Sequence, residues 1–185
     1  MRRFWNPKET FTTRNLAVMS MMLVLSMIFA SFGTVKLTPS FKLFTIDYLP
    51  GVAVATLFGP LAAVVYGFAA DTVLFFANGG GPYMPTYAIS AAVSYLIYAC
   101  LLHGKPNQIW RIAAARILST ILVTFGLNYL WNYLYFGSAA SAYFTTVRLI
   151  SNLINLPIAV VLIFFFNKLS LELYQRIILG RKISK

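Results

Sequence analysis

Residues Ala55 to Val65 read ATLFGPLAAVV, and the number of membrane crossings turns on whether Gly59-Pro60 interrupts a helix or lies within one. Both flanks are apolar and of helix-forming composition, so periodicity alone does not decide. Proline lacks a backbone N–H and disfavours helical geometry in the residue before it, which suits Gly-Pro to a stop between two helices. Read as a stop, it separates a helix over 46–58 from one over 60–78. The first of these has thirteen residues. At roughly 1.5 Å per residue it covers about 20 Å, short of the roughly 30 Å hydrocarbon core. Read as continuous, the same stretch gives five crossings and termini on opposite sides.

Working outward, further apolar runs predict helices over 15–33, 86–103, 109–135 and 143–171. Composition agrees: 59% of the 185 residues are hydrophobic and 10% charged, the profile of an integral membrane protein lying in a lipid bilayer. Charge then settles the count. Arg2, Arg3, Lys8 and Arg14 lie before the first helix, Lys105 and Arg111 follow the fourth, and Lys168, Arg176, Arg181, Lys182 and Lys185 close the chain. The intervening side holds Lys36 and Lys42. Because cytoplasmic loops are enriched in Lys and Arg, both termini are placed inside and the number of crossings is even. The expectation is an all-α integral membrane protein: one domain over 1–185, six transmembrane helices, both termini cytoplasmic, and Gly59-Pro60 a cytoplasmic turn.

Several chemistries are excluded. The net charge of +11 sits at the ends of apolar runs rather than on polar faces, so nucleic acid is not the implied partner. With one cysteine, Cys100, neither a disulfide framework nor a cysteine metal site is available within the chain. The single histidine, His103, falls at the end of the fourth helix and reads as structural. Intramembrane metallo- and serine proteases need a histidine within the membrane, and an aspartyl protease needs two membrane acids. No phosphate-cradling Gly-Lys-Ser/Thr motif occurs. A binding or transport protein is favoured over an enzyme, with no cofactor and no metal.

Asp71 stands inside the helix predicted over 60–78, about eleven residues from its start and so roughly 16 Å up. An acid at that depth normally faces a cavity or a partner. Asn128 and Asn132 fall near the outer end of the fifth helix. Arg148, Asn152 and Asn155 fall in the outer half of the sixth, with Ser90 and Ser94 at the same level of the fourth. Singly, such residues tie helices together; gathered at one height from four helices, they sketch a polar pocket in the outer half of the bundle. Asp71 paired with Arg148 as interhelical glue is the plainer alternative. Arg116 lies within snorkelling reach of the headgroups and reads as structural. Tyr83, Tyr87 and other aromatics near the outer end suit either an interfacial belt or the walls of a site for a planar ligand. NGGGPYMP, Asn78 to Pro85, reads as an outer turn or a lid.

From Tyr48 to Leu101 the chain carries Leu-Pro, Phe-Gly-Pro, Gly-x-x-x-Asp, Gly-Pro-Tyr-x-Pro and Ser-Ala-Ala in order. This pattern resembles the core of the substrate-binding S subunits of energy-coupling factor (ECF) vitamin transporters, within them the folate branch. The resemblance implies a multi-pass protein of a bacterial cell membrane that captures a vitamin from outside. Such a subunit docks on a transmembrane coupling subunit with two ABC-type ATPases. It implies folate as ligand, with Asp71 accepting hydrogen bonds from the pterin edge and Arg148, Lys36 and Lys42 the cations available to the glutamate tail. Lys36 and Lys42 read equally well as solvated loop charges. Tyr83, Tyr87, Ser90, Asn128, Asn132 and Asn152 complete the candidate site. Family members often carry Ala-x-x-x-Ala in the first helix as the docking face; here Met21 follows Ala17, leaving Ala17 and Ser20 as a small-residue patch. Another vitamin or precursor (a pyrimidine, pantothenate or riboflavin) or a membrane assembly protein are the alternatives.

Overall fold

The computed structural model describes residues 10–32, 34–38, 41–78 and 82–178. In chain order the elements are α1 (Thr13–Phe32), β1 (Thr34–Thr38), β2 (Phe41–Thr45), α2 (Leu49–Phe58), α3 (Pro60–Asn78), α4 (Pro85–Leu102) and α5 (Ile109–Ser119). A π-helical segment (Thr120–Leu127), α6 (Asn128–Leu173) and a terminal π turn (Tyr174–Ile178) follow. Among the described residues, five helical stretches are long and apolar enough to cross a membrane: Thr13–Phe32, Pro60–Ala77, Pro85–Leu102, Ile109–Ser138 and Asn155–Arg176.

The Gly-Pro stop is where the sequence puts it. Gly59 adopts φ 88° and ψ −169°, a conformation that residues with a Cβ rarely take, and Pro60 opens the next helix. Helix α2 is shorter than expected, ten residues rather than thirteen, or roughly 15 Å. Such a stub would be unstable facing lipid. It survives because every residue of it except Leu57 is buried, packed among α1, α3, α4 and α6. Its first turn therefore ends inside the bundle rather than at a membrane surface, which leaves room above it for a cavity.

Close packing follows from small residues. Ala53, Ala55, Ala62, Ala63, Ala92 and Ala99 are buried, and a Cβ on Gly67 would lie 2.7 Å from the Ala92 Cα, so α3 and α4 touch almost backbone to backbone. A side chain on Gly51 would overlap the Tyr95 ring. The outer surface is apolar: Met21, Val24, Phe32, Phe68, Phe76, Leu134 and Phe165 are all exposed. Apolar outside and polar within is the arrangement a lipid solvent selects.

At one end of the bundle the elements are tied by polar contacts. The Tyr174 hydroxyl donates to Asn15 Oδ1 at 3.1 Å, and the Asn107 side chain donates to the Phe164 carbonyl at 3.0 Å. His103 Nδ1 meets the Thr56 carbonyl at 2.8 Å, with its ring against Gly59. The start of α1 and the end of the last helix thus share that end of the molecule. His103 is a structural tie there, as the sequence suggested.

Two features depart from expectation. The all-helical reading omitted a two-stranded antiparallel hairpin, whose register pairs Thr34 with Thr45, Val35 with Phe44 and Lys36 with Lys42. The expected gap between helices at 136–142 shrinks to one residue: the backbone is helical on both sides of Gly137, which turns the chain at φ 82° and ψ 178°.

Candidate functional site

The short α2 opens the site. Its N-cap residue, Tyr48, stands at the edge of a cavity of about 290 Å³ whose walls come from α3, α4, α5, the π segment and α6. Asp71 from α3 lines it. So do Tyr87, Ser90, Ser94, Tyr95 and Tyr98 from α4, Arg116 and Ser119 from α5, and Asn128 and Asn152 from α6. A second cavity of about 430 Å³ adjoins it through Asp71 and Tyr87 and is walled otherwise by Phe75, Pro82, Tyr83, Met84 and Phe136. The first is polar and tyrosine-rich; the second is largely aromatic. The pair together falls within the roughly 300–1,000 Å³ typical of small-molecule sites.

The π segment explains how one helix presents so many polar groups. Arg116, Thr120, Thr124 and Asn128 recur every fourth residue, and all four line the cavity. In a straight α-helix, residues four apart drift steadily around the axis. The wider i→i+5 turn over Thr120–Leu127 holds back that drift, so the four stay on the cavity side.

Hydrogen bonds fix the walls. The Tyr87 hydroxyl donates to Asn132 Oδ1 at 2.6 Å, and Trp131 Nε1 donates to Ser90 Oγ at 3.0 Å; both link α4 to α6. Ser94 and Ser119 share a hydrogen bond of 2.6 Å, linking α4 to α5. The Tyr83 hydroxyl meets Thr72 Oγ1 at 2.7 Å, and its ring stacks on Phe76 with centroids 5.5 Å apart. Arg116 Nη2 donates to Asn152 Oδ1 at 3.3 Å, while its guanidinium carbon lies 4.9 Å from the centre of the Tyr48 ring. Several groups keep unused capacity: the Tyr48 and Tyr98 hydroxyls, Arg116 Nε and Asn128 Oδ1 are buried without a hydrogen-bond partner. Unsatisfied polar atoms at such depth are costly, and their convergence on one cavity is what a site awaiting a polar ligand looks like.

Of the residues singled out from sequence, Asp71, Tyr83, Tyr87, Ser90, Asn128 and Asn152 line one or both cavities. Asn132 stands behind Tyr87 and orients it. The side chains of Lys36, Lys42 and Arg148 are outside the described residues, as are residues 79–81 of the lid segment. Ala17 and Ser20 lie away from the cavity, exposed on α1. Sequence reasoning misplaced Arg116, which turns into the bundle instead of snorkelling outward, and it passed over Tyr48, Tyr95, Tyr98, Ser119, Thr120 and Thr124. The four-residue recurrence from Arg116 to Asn128 was the available signal.

Comparison with known proteins places this arrangement in context. The profile of the family described as ECF transporter, substrate-specific component, matches residues 14–165. The folate transporter FolT of Clostridium novyi is 28% identical over 146 residues, 79% of this chain and 83% of that protein. FolT of Leuconostoc mesenteroides is 28% identical over 161 residues, 83% of this chain and 84% of that protein. A crystal structure of FolT bound with folic acid superposes with a TM-score of 0.74 at 25% identity, covering 85% of this chain and 94% of that one. With the profile spanning most of its length, this multi-pass chain is a transporter component rather than an enzyme, and it belongs to the family of ECF transporter substrate-specific components.

Proposed function

We propose that this chain captures folate from outside the cell at high affinity and delivers it through a coupling module that hydrolyses ATP. The observation that carries the reading is a polar cavity holding an intramembrane acid, Asp71, on a fold shared with a protein crystallised with folic acid. A pterin ring is planar and offers an N–H beside an amino group on one edge. A carboxylate accepts two parallel hydrogen bonds from that edge, and Asp71 is the carboxylate of this cavity. The aromatic second cavity, with Phe75, Tyr83 and Phe136, suits the aminobenzoyl part of the ligand.

The glutamate tail carries two negative charges. The backbone register of the hairpin pairs Lys36 with Lys42. The same hairpin leads, three residues after its second strand, to Tyr48 at the cavity edge. We assign Lys36 and Lys42 to the tail on this basis, and Arg148 as the cation that the sequence places in the outer half of the last helix. The single domain has six membrane crossings, α2 serving as a buried half-length one. Both termini are cytoplasmic, so the cavity opens outward in the cell membrane of a bacterium, the source of both relatives. With no nucleotide-binding motif of its own, the chain draws energy from a transmembrane coupling subunit and two ABC-type ATPases. Ala17 and Ser20, exposed on α1, admit a partner helix closely.

The test is a thermal-shift screen of the detergent-purified chain against folic acid, riboflavin, pantothenate and a pyrimidine precursor. A ligand that binds the folded form alone raises its melting temperature. Folic acid is expected to give the largest rise. A larger rise with any other vitamin would reassign the substrate.

A further inference from the structure

The end of the bundle where α1 begins and the last helix finishes carries a second group of polar side chains, away from both cavities. The link from α4 to α5, residues 103–108, is tied to α6 there by the 3.0 Å hydrogen bond from Asn107 to the Phe164 carbonyl. Arg111 follows the tie in the first turn of α5. Lys168 lies four residues beyond Phe164, one helical turn nearer the end of the chain, and is exposed. The tie thus sets cations from two helices along one seam.

Arg111 is held in place by its neighbours. The Trp110 indole N–H donates to Gln108 Oε1 at 3.0 Å, and the Arg111 guanidinium carbon lies 5.1 Å from the centre of the same indole ring, within cation–π range. Arg111 Nε is buried without a partner, whereas its two Nη atoms stay accessible and make no hydrogen bond. Among the described residues no carboxylate pairs with Arg111 or Lys168; Glu172, one turn beyond Lys168, forms no ion pair with it. Lys105 is engaged elsewhere, its Nζ donating to the Cys100 carbonyl at 3.0 Å and so capping the end of α4. Around the two uncommitted cations the surface is apolar: Ile109, Trp110, Phe165 and Leu169 are all exposed.

We propose that this seam binds an anionic phospholipid, with the Arg111 Nη pair on the phosphate, Lys168 supplying a second charge, and the acyl chains lying on the apolar surface beside them. A guanidinium fork matches two phosphate oxygens, and basic pockets between membrane helices hold such headgroups. Tryptophan prefers the headgroup level of a bilayer, so Trp110 sets Arg111 at the height of the phosphates. A zwitterionic lipid offers the same phosphate but brings its own ammonium group towards Lys168; an anionic headgroup does not. An acidic protein partner would meet the two charges but not the apolar surface next to them, which is where lipid chains run. Held there, the lipid braces the start of α5 against α6, two helices whose other turns wall the polar cavity. The proposal does not depend on which ligand that cavity takes.

The test records melting curves of the full chain in a neutral detergent with increasing mole fractions of dioleoylphosphatidylglycerol or dioleoylphosphatidylcholine, and separately with inorganic phosphate. Phosphatidylglycerol is expected to raise the melting temperature saturably, at about tenfold lower mole fraction than phosphatidylcholine; inorganic phosphate is expected to give no rise. Arg111→Gln and Lys168→Gln should each weaken the phosphatidylglycerol response about fivefold. Arg176→Gln removes an equal charge from the terminal turn at the same end and should stay within about twofold, because charge alone does not make the site. Lys168 is exposed, so its variant carries the test if Arg111→Gln fails to fold. Equal responses to the two lipids would overturn the proposal. So would weakening by Arg176→Gln as large as by the other two, which would mean diffuse attraction, or an equal rise with inorganic phosphate, which would mean a site for free anions. An Arg111→Gln chain that keeps its phosphatidylglycerol response but no longer copurifies with a coupling subunit would give the seam to a protein partner instead.

Discussion

At the scale of single residues, the account rests on Asp71. Replacing it by Asn keeps the shape but exchanges one acceptor oxygen for an NH2 donor, so a charge-assisted pair is lost and one contact becomes repulsive. The expected loss for folic acid is about 2–4 kcal/mol, or roughly 30- to 1,000-fold in dissociation constant, read by titration beside a melting curve. Near-normal affinity in a folded Asp71→Asn protein would remove Asp71 from the ligand. Asp71, Tyr87, Ser90, Asn128 and Asn152 were legible because polar groups at membrane depth are rare and these converge at one height. Arg116 was not. Counted along an ideal helix from Ile109 it lies near the headgroups, and nothing in composition announces that a half-length α2 opens space beside it or that the following turns are π-helical. Tyr95 and Tyr98 were missed for a related reason: a tyrosine in an apolar run looks like core, and indeed both rings are buried.

At the scale of elements, the sequence was most informative where the backbone has no choice. Gly59-Pro60 marked a helix break because proline removes a donor and glycine takes the positive φ. The hairpin escaped because its two strands are only five residues each. Their alternation, Val35 and Leu37 against Lys36, Phe41 and Leu43 against Lys42, is a period-two signal short enough to pass for a loop between helices. The contact of α3 with α4 sets Asp71 and Tyr87 around the same cavities. Gly67 sits one turn below Asp71, and a Cβ there would meet the backbone of Ala92, which cannot rotate aside. Gly67→Ala is therefore expected to destabilise the protein by about 1–3 kcal/mol through overpacking and to weaken folic acid as Asp71 shifts. Gly126→Ala, whose added Cβ would find nothing nearer than 3.8 Å, is the matched control and should leave stability unchanged or raise it by up to about 1 kcal/mol. Melting temperatures distinguish the two outcomes; an unchanged value for Gly67→Ala would mean the helices are not held at backbone contact.

At the scale of the whole molecule, polarity is inverted relative to a soluble domain. Lipid-facing residues such as Met21, Phe32 and Phe165 are apolar and exposed, while the bundle keeps Asp71, Arg116, Asn128 and Asn152 around a cavity. On the proposed reading such a molecule binds through hydrogen-bonding groups already held around the cavity, and binding by itself needs no energy source. On the same proposed reading energy is required only for delivery, which falls to partners. The most direct measurement is isothermal titration of folic acid into the purified chain alone in detergent, without nucleotide or coupling subunits. The account requires saturable one-to-one binding under those conditions. Absence of saturable binding by the folded chain, or binding that appears only with the ATPase module and ATP, would contradict it.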